Sequence, residues 1–202
     1  PLPPPPPPGV VLFFDLPAID TGAHRGLGYV PGRAPARTGA RVYLACRSAQ
    51  KAAEAMGRIR TAVPTADLHF LKLDLASLDS VRDAAAEFLN RGEPLDLLVN
   101  NAGVAGSRGI TKDGFELTFG VNHVGHFLFT LLLADKLVES APSRVVTVAS
   151  RGHYGASGID WDAVRQPTRA ATGFPEYQVS KLANVLFSAE LHRRFHDRGV
   201  ST

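Results

Sequence analysis

Leu95-Asp96-Leu97-Leu98-Val99-Asn100-Asn101-Ala102-Gly103 decides the fold. Leu95 to Val99 reads as a short apolar strand, and amide and small residues follow it at once. The same unit recurs on either side. Arg41 to Cys46 reads as a buried strand before a helix from about Ala49 to Thr61, and Leu68 to Leu73 as a strand before a helix from about Leu78 to Asn90, with Ser77 or Asp79 as its cap. Phe115 to Val138 reads as a long helical region, Arg144 to Ala149 as a β-branched strand, and Glu176 to Asp197 as a helix with Val179, Leu182, Ala183, Leu186 and Ala189 at spacings of three and four. Strands alternating with helices imply βαβ units, hence an α/β fold with a doubly wound parallel sheet. In such sheets a ligand sits beyond the carboxyl ends of the strands, so the informative residues lie just after each strand.

Composition narrows the classes. The 202 residues suffice for one ordinary domain, and an apolar content of 45% is that of a globular chain. The longest apolar run, Phe127 to Ala134, is too short to span a bilayer, and Pro1 to Pro8 break any signal-peptide core. Cys46 is the single cysteine, which excludes an intrachain disulfide and fits a reducing compartment. The net charge is +3, but Arg25, Arg33, Arg37, Arg41, Arg47, Lys51, Arg58 and Arg60 crowd one segment against Glu54 alone. A solvated surface, an acidic membrane, nucleic acid or a phosphorylated ligand would each suit such a cluster. No zinc-finger spacing or RNA-binding aromatic motif accompanies it, so nucleic acid is the weakest of these.

Several strand ends carry ligand-binding chemistry. Thr21-Gly22-Ala23-His24-Arg25-Gly26-Leu27-Gly28 is a glycine-rich turn of the kind that brings backbone N–H groups to a pyrophosphate. Such turns are common, and His24 in it reads as a bystander. Arg47 follows the next strand, about twenty residues on, where a dinucleotide fold that prefers NAD carries an acid. An arginine there suits a 2′-phosphate, so Arg47, with Arg25, argues for NADP(H), and a plain surface arginine is the alternative. Cys46 reads as core rather than nucleophile. Asp74 could accept a bond from an adenine amino group or cap the turn that follows it. Asn101-Ala102-Gly103 would let a cofactor lie close to the backbone, with a turn-shaping role as the alternative for Asn101.

Tyr177 and Lys181 stand four apart on a helix, so both leave one face. A phenol titrates near ~10, so proton transfer near neutrality needs that lowered by about three pH units, roughly 4 kcal/mol. A neighbouring ammonium supplies part of it. Alone the pair is as well explained as a surface contact, and Ser150 alone as a turn residue.

In combination these features resemble the short-chain dehydrogenase/reductase family. The TGxxxGxG turn, Arg47, Asp74, the Asn-Asn-Ala-Gly run, Asn122, Ser150 and Tyr177-x-x-x-Lys181 occur in order, from Thr21 to the last residue. Ala40 to Ser48, Val121 to Phe127 and Ser180 to Phe187 are similar to the retinol dehydrogenase branch, and Ala141 to Val146 to the dehydrogenase/reductase member 13 group. The resemblance implies an oxidoreductase acting on a CH–OH group with NADP(H), interconverting an apolar carbonyl and its alcohol, with a retinoid or lipid aldehyde as substrate. Tyr177 would be acid or base, Lys181 would lower its pKa and bind the nicotinamide ribose, Ser150 would hold the substrate oxygen, and Asn122 would hold a relay water. Gly22, Gly26 and Gly28, with Arg25 and Leu27, would line the pyrophosphate; Arg47 would meet the 2′-phosphate, Asp74 the adenine, and Asn101, Ala102 and Gly103 the cofactor's middle. The branch implies an intracellular setting, cytoplasmic or at the endoplasmic reticulum, with membrane contact by analogy alone.

Departures from the pattern set further expectations. Residues 1–20 read as a proline-rich leader, disordered or atypical, and 21–202 as an incomplete NADP(H)-binding domain. Strand one should run straight into Thr21, yet Pro17 and Asp20 interrupt it and Val10 to Phe14 lies too early. Pro31 and Pro35 fall in the helix expected after Gly28, where an interior proline costs about 3 kcal/mol. Val200 to Thr202 stands where a sixth strand should begin, which would leave an exposed sheet edge. A truncated, inactive relative acting as a fragment or interaction protein is therefore the alternative to an active enzyme.

Overall fold

The computed structural model describes residues 17–22, 36–37 and 39–202. Its centre is a six-stranded parallel sheet in the order β3-β2-β1-β4-β5-β6. The strands are β1 (Ala18–Thr21), β2 (Val42–Cys46), β3 (Leu68–Lys72), β4 (Leu97–Asn100), β5 (Ser143–Thr147) and β6 (Val200–Ser201). The helices are α1 (Ala49–Ala62), α2 (Leu78–Leu89), α3 (Leu117–Phe119), α4 (Gly125–Leu132), α5 (Ala134–Glu139) and α6 (Phe174–Phe195). The fold is the doubly wound α/β arrangement that the alternating pattern implies.

Every residue of β2 is buried, because helices cover both faces of the sheet. Tyr43 and Ala45 face a core shared with Val81 and Phe88 of α2, Phe129 of α4, and Phe187 and Leu191 of α6. Val42 and Leu44 face the opposite way, against Ala55 and Ile59 of α1. Ser48 caps α1 and Ser77 caps α2, each accepting the backbone N–H three residues on, so Ser77 rather than Asp79 fills that role.

Two readings of the chain are corrected here. Strand one is intact over Ala18–Thr21, paired with β2 and β4. Pro17 lies just ahead of it and uses its carbonyl to accept from Asp96 and Leu97. Asp20 stays in register opposite Leu44 and Val99 although it is 2% exposed. Among the described residues its carboxyl has no hydrogen-bond partner, and burial raises its pKa well above the ordinary carboxylate range. The ordered sheet therefore reaches back into the segment read as leader. The second correction concerns the region read as one helix from Phe115 to Val138. It starts at Leu117, passes through a π-helical turn at Gly120–Val124, and bends again at Leu133 before α5. π-Turns inside helices gather at functional sites.

A sixth strand does form, pairing with the start of β5 through Ser143↔Val200 and Arg144↔Ser201. The proline-rich start, His24, Arg25, Gly26, Leu27 and Gly28, and Pro31 and Pro35 lie outside the described residues.

Candidate active site

The strand order reverses between β1 and β4, and the residues that end these two strands meet there. Such a switch point opens a crevice at the carboxyl edge of the sheet. Thr21, fully buried, is its hub. Its hydroxyl accepts the backbone N–H groups of Asn101 and Ala102, both at 3.0 Å, and lies 2.8 Å from His126 Nε2. Asn101 returns a bond from its side-chain amide to the Thr21 carbonyl at 2.9 Å. The turn-shaping reading of Asn101 is thus present in the geometry. Gly22 follows with φ of 78°, and a Cβ there would lie 2.8 Å from Ala102 Cα, so neither conformation nor space admits a side chain.

Asn122 sits in the π-helical turn with no exposure. Its side chain is fully engaged: Oδ1 accepts from Val104 N at 2.8 Å, and Nδ2 donates to Val104 O at 2.9 Å and Ser180 Oγ at 3.1 Å. Ser180 in turn donates to the carbonyl of Tyr177, so Asn122 is bonded into α6 between Tyr177 and Lys181.

Lys181 is 4% exposed and donates to Val148 O at 2.8 Å. Burial lowers its pKa to about 8. An ammonium has three N–H groups, and this bond uses one of them. The Gly103 backbone lies beside this amine: the position a Cβ would take is 3.2 Å from Asn122 Oδ1 and 3.8 Å from Lys181 Nζ. Ser150 caps a short 3-10 turn and accepts from Gly152 N at 3.1 Å, which leaves its O–H to donate. Gly152 separates Ser150 from Tyr177, since a Cβ on it would be 3.4 Å from both Ser150 Oγ and Tyr177 Cε1. Lys181 Nζ is 5.8 Å from the centre of the Tyr177 ring. Ser150 and Tyr177 thus meet at Gly152, Lys181 and Asn122 meet at Gly103, and Tyr177 and Lys181 share α6.

A family profile described as short chain dehydrogenase matches residues 17–160. The chain belongs to the short-chain dehydrogenase family. This member is 45% identical over 184 residues to retinol dehydrogenase 13 of Homo sapiens, covering 91% of this chain and 55% of that protein. It is 44% identical to retinol dehydrogenase 11 of Mus musculus, over 92% of this chain and 58% of that protein. The chain thus spans a little over half the length of these relatives. Among solved structures it is similar to an uncharacterized protein from Mycobacterium Paratuberculosis, at 36% identity and a TM-score of 0.79, covering 93% of this chain and 65% of that one. This short-chain dehydrogenase is related to the retinol dehydrogenases, and its family uses NAD(P)(H).

The outlying site residues take simpler places. Arg47 is exposed directly after β2, with no side-chain partner among the described residues. Asp74 is half-buried after β3 and accepts from Ala76 N at 3.0 Å, so it does close the local turn. Cys46 is buried in the sheet and its thiol is pushed up by burial, in keeping with a core role. Among the described residues no helix is long and apolar enough to cross a membrane. Nor do three or more metal-ligating side chains gather there.

Thr21, His126 and Val148 are the structural residues that motif reading passed over. A polar residue set in an apolar helix, as His126 is between Gly125 and Phe127, was the available signal.

Proposed function

We propose that this chain carries the cofactor-binding and catalytic part of an NADP(H)-dependent oxidoreductase that interconverts an apolar carbonyl and its alcohol. The observation that carries this reading is the closeness of Ser150, Tyr177 and Lys181 beyond the carboxyl end of β5, packed about Gly103 and Gly152. The residues fit a nicotinamide dinucleotide. The Lys181 amine keeps two N–H groups for ribose hydroxyls, and Gly103 beside it presents no side chain. Gly22 and Ala102 would line the cofactor's path, with Gly26, Gly28, Arg25 and Leu27 continuing the turn. Arg47, unpaired among the described residues and placed after β2, would meet a 2′-phosphate, which favours NADP(H) over NAD(H). Asp74 keeps a second carboxyl oxygen for the adenine amino group.

When bound, the nicotinamide supplies or accepts the hydride. The protein's share is placement and proton transfer. Ser150 donates its O–H to the substrate oxygen, orienting it and offsetting charge that develops there. Tyr177 gives its phenolic proton to that oxygen in reduction and takes it back in oxidation. Lys181, four residues on, sets its ammonium 5.8 Å from the centre of the Tyr177 ring. Asn122 braces α6 through Ser180 and keeps Tyr177 and Lys181 in register.

The kinship with retinol dehydrogenases favours a retinoid or lipid aldehyde as substrate. The same kinship, with a lone buried cysteine, favours an intracellular setting, in the cytoplasm or at the endoplasmic reticulum. Purified protein with NADPH and retinal tests the activity through the absorbance of the reduced cofactor. Loss of that absorbance, faster with NADPH than with NADH, is the expected result. A folded chain that neither turns over nor gains thermal stability with NADPH would refute the reading and favour an inactive interaction protein.

A further inference from the structure

We propose that His126 is a positioning residue that ties the turn ending β1 to the π-helical turn carrying Asn122, through one neutral imidazole bonded at both nitrogens. The inference rests on the reading above that both turns belong to one active site.

The hydrogen-bond directions follow from chemistry. His126 is 2% exposed on α4. Its Nδ1 is 3.1 Å from the Asn122 carbonyl, which can only accept, so Nδ1 carries the proton. In a neutral ring Nε2 must then accept. Its partner at 2.8 Å is Thr21 Oγ1, which therefore donates. Thr21 Oγ1 has two lone pairs left, and these take the N–H groups of Asn101 and Ala102 at 3.0 Å each. Val99 O, at 3.3 Å, is a longer rival for the same hydroxyl proton. The bonds thus run one way, from the amides of Asn101 and Ala102 to Thr21, from Thr21 to His126, and from His126 to the Asn122 carbonyl.

This chain of bonds has a functional consequence. The Asn122 side chain is held by Val104 and Ser180 and its main-chain carbonyl by His126, so the ring is one of the groups that fix the π-helical turn beside the site. At the other end Thr21 fixes the peptides of Asn101 and Ala102, which form the floor against Gly22. A single ring therefore holds the cofactor floor and the catalytic helix in one register. An apolar ring of similar size would leave the Thr21 hydroxyl only the longer bond to Val99 O and would take the imidazole donor from the Asn122 carbonyl.

Two conservative variants separate the ends. His126→Gln keeps an acceptor near Nε2 and loses the donor to Asn122; His126→Asn keeps a donor near Nδ1 and loses the acceptor for Thr21. Amide hydrogen exchange at Asn101 and Ala102, NADPH affinity, and kcat against KM are measured for both and for His126→Phe. A net hydrogen bond of about 1 kcal/mol corresponds to roughly a fivefold change. His126→Asn is expected to speed exchange at Asn101 and Ala102 and weaken NADPH binding by at least that factor. His126→Gln is expected to keep both and lower kcat instead. Equal behaviour of the two variants, or unaltered exchange in His126→Phe, would overturn the proposal. Should the variants not fold, nitrogen-15 spectra of the wild-type ring decide: a proton on Nδ1 supports the tether and a proton on Nε2 overturns it. Exchange and tautomer are read without cofactor, so an inactive wild-type chain would sink the enzymatic reading while these results still judged the tether.

Discussion

The Lys181 ammonium donates to the Val148 carbonyl at 2.8 Å, one residue beyond the end of β5. That bond pins the helix carrying Tyr177 to the strand that leads into Ser150, and Asn184 adds a second bond to the same carbonyl at 3.2 Å. Tyr177 and Lys181 are thus fastened, on one helix, to the segment that leads from β5 into Ser150.

Lys181 also gives a pH signature. Burial holds its pKa at about 8, below the ordinary value of 10.5. Between these values the unfolded chain binds the extra proton, so stability rises with pH, by at most about 1.4 kcal/mol per pH unit. Below the lower value both states are charged and the contribution is flat. Lys181→Met is expected to remove that alkaline rise in urea unfolding and to lower kcat by about 10²-fold or more. A variant that keeps the rise would assign it to another group.

Asp20 predicts the opposite slope. Its folded pKa is raised by burial, so its contribution is fully present below the unfolded carboxylate pKa and is lost as pH rises through the folded value. At neutral pH Asp20→Val is expected to stabilise the protein by roughly 1–3 kcal/mol, the cost of a buried polar group, since Asp20 has no partner among the described residues. The gain should shrink toward about pH 4, near the ordinary carboxylate range. Melting temperatures across that interval check it; a destabilised Asp20→Val would mean that the carboxyl has a stabilising partner.

Arg47 is expected to set cofactor preference. Arg47→Asp replaces a 2′-phosphate partner with a ribose 2′-hydroxyl partner, and should shift the ratio of kcat/KM for NADPH over NADH by about 10²-fold toward NADH. An unchanged ratio would return Arg47 to the role of a surface arginine.

Thr21→Val tests the hub of the switch point. It keeps the shape of the side chain and removes the acceptor of two part-buried amides, which is expected to cost about 1–3 kcal/mol of stability. Chemical denaturation would measure it, and a loss under about 0.5 kcal/mol would show that the amides find other partners.

Much of this was legible in the sequence because apolar strands buried on both faces need no tertiary context to be recognised. Val42 to Cys46 and Leu97 to Val99 are such runs. β1 was harder, since the buried Asp20 breaks the apolar pattern between its neighbouring strands. The apolar spacing on α6 pointed to Leu186, yet Leu186 is exposed and the buried face carries Ser180, Lys181 and Asn184. Those polar groups are buried because each finds a partner on a neighbouring element, which periodicity cannot register. The π-helical turn was equally invisible, because one extra residue in a turn leaves no local compositional mark.

The most direct test of the central claim is Tyr177→Phe, measured beside the wild type for NADPH affinity and for retinal reduction. The account expects the variant to bind NADPH within about threefold of wild type, since the phenol contributes little to holding the dinucleotide, and to lose kcat by about 10²–10⁴-fold, the usual worth of a positioned acid. Reduction at the wild-type rate by Tyr177→Phe would contradict it.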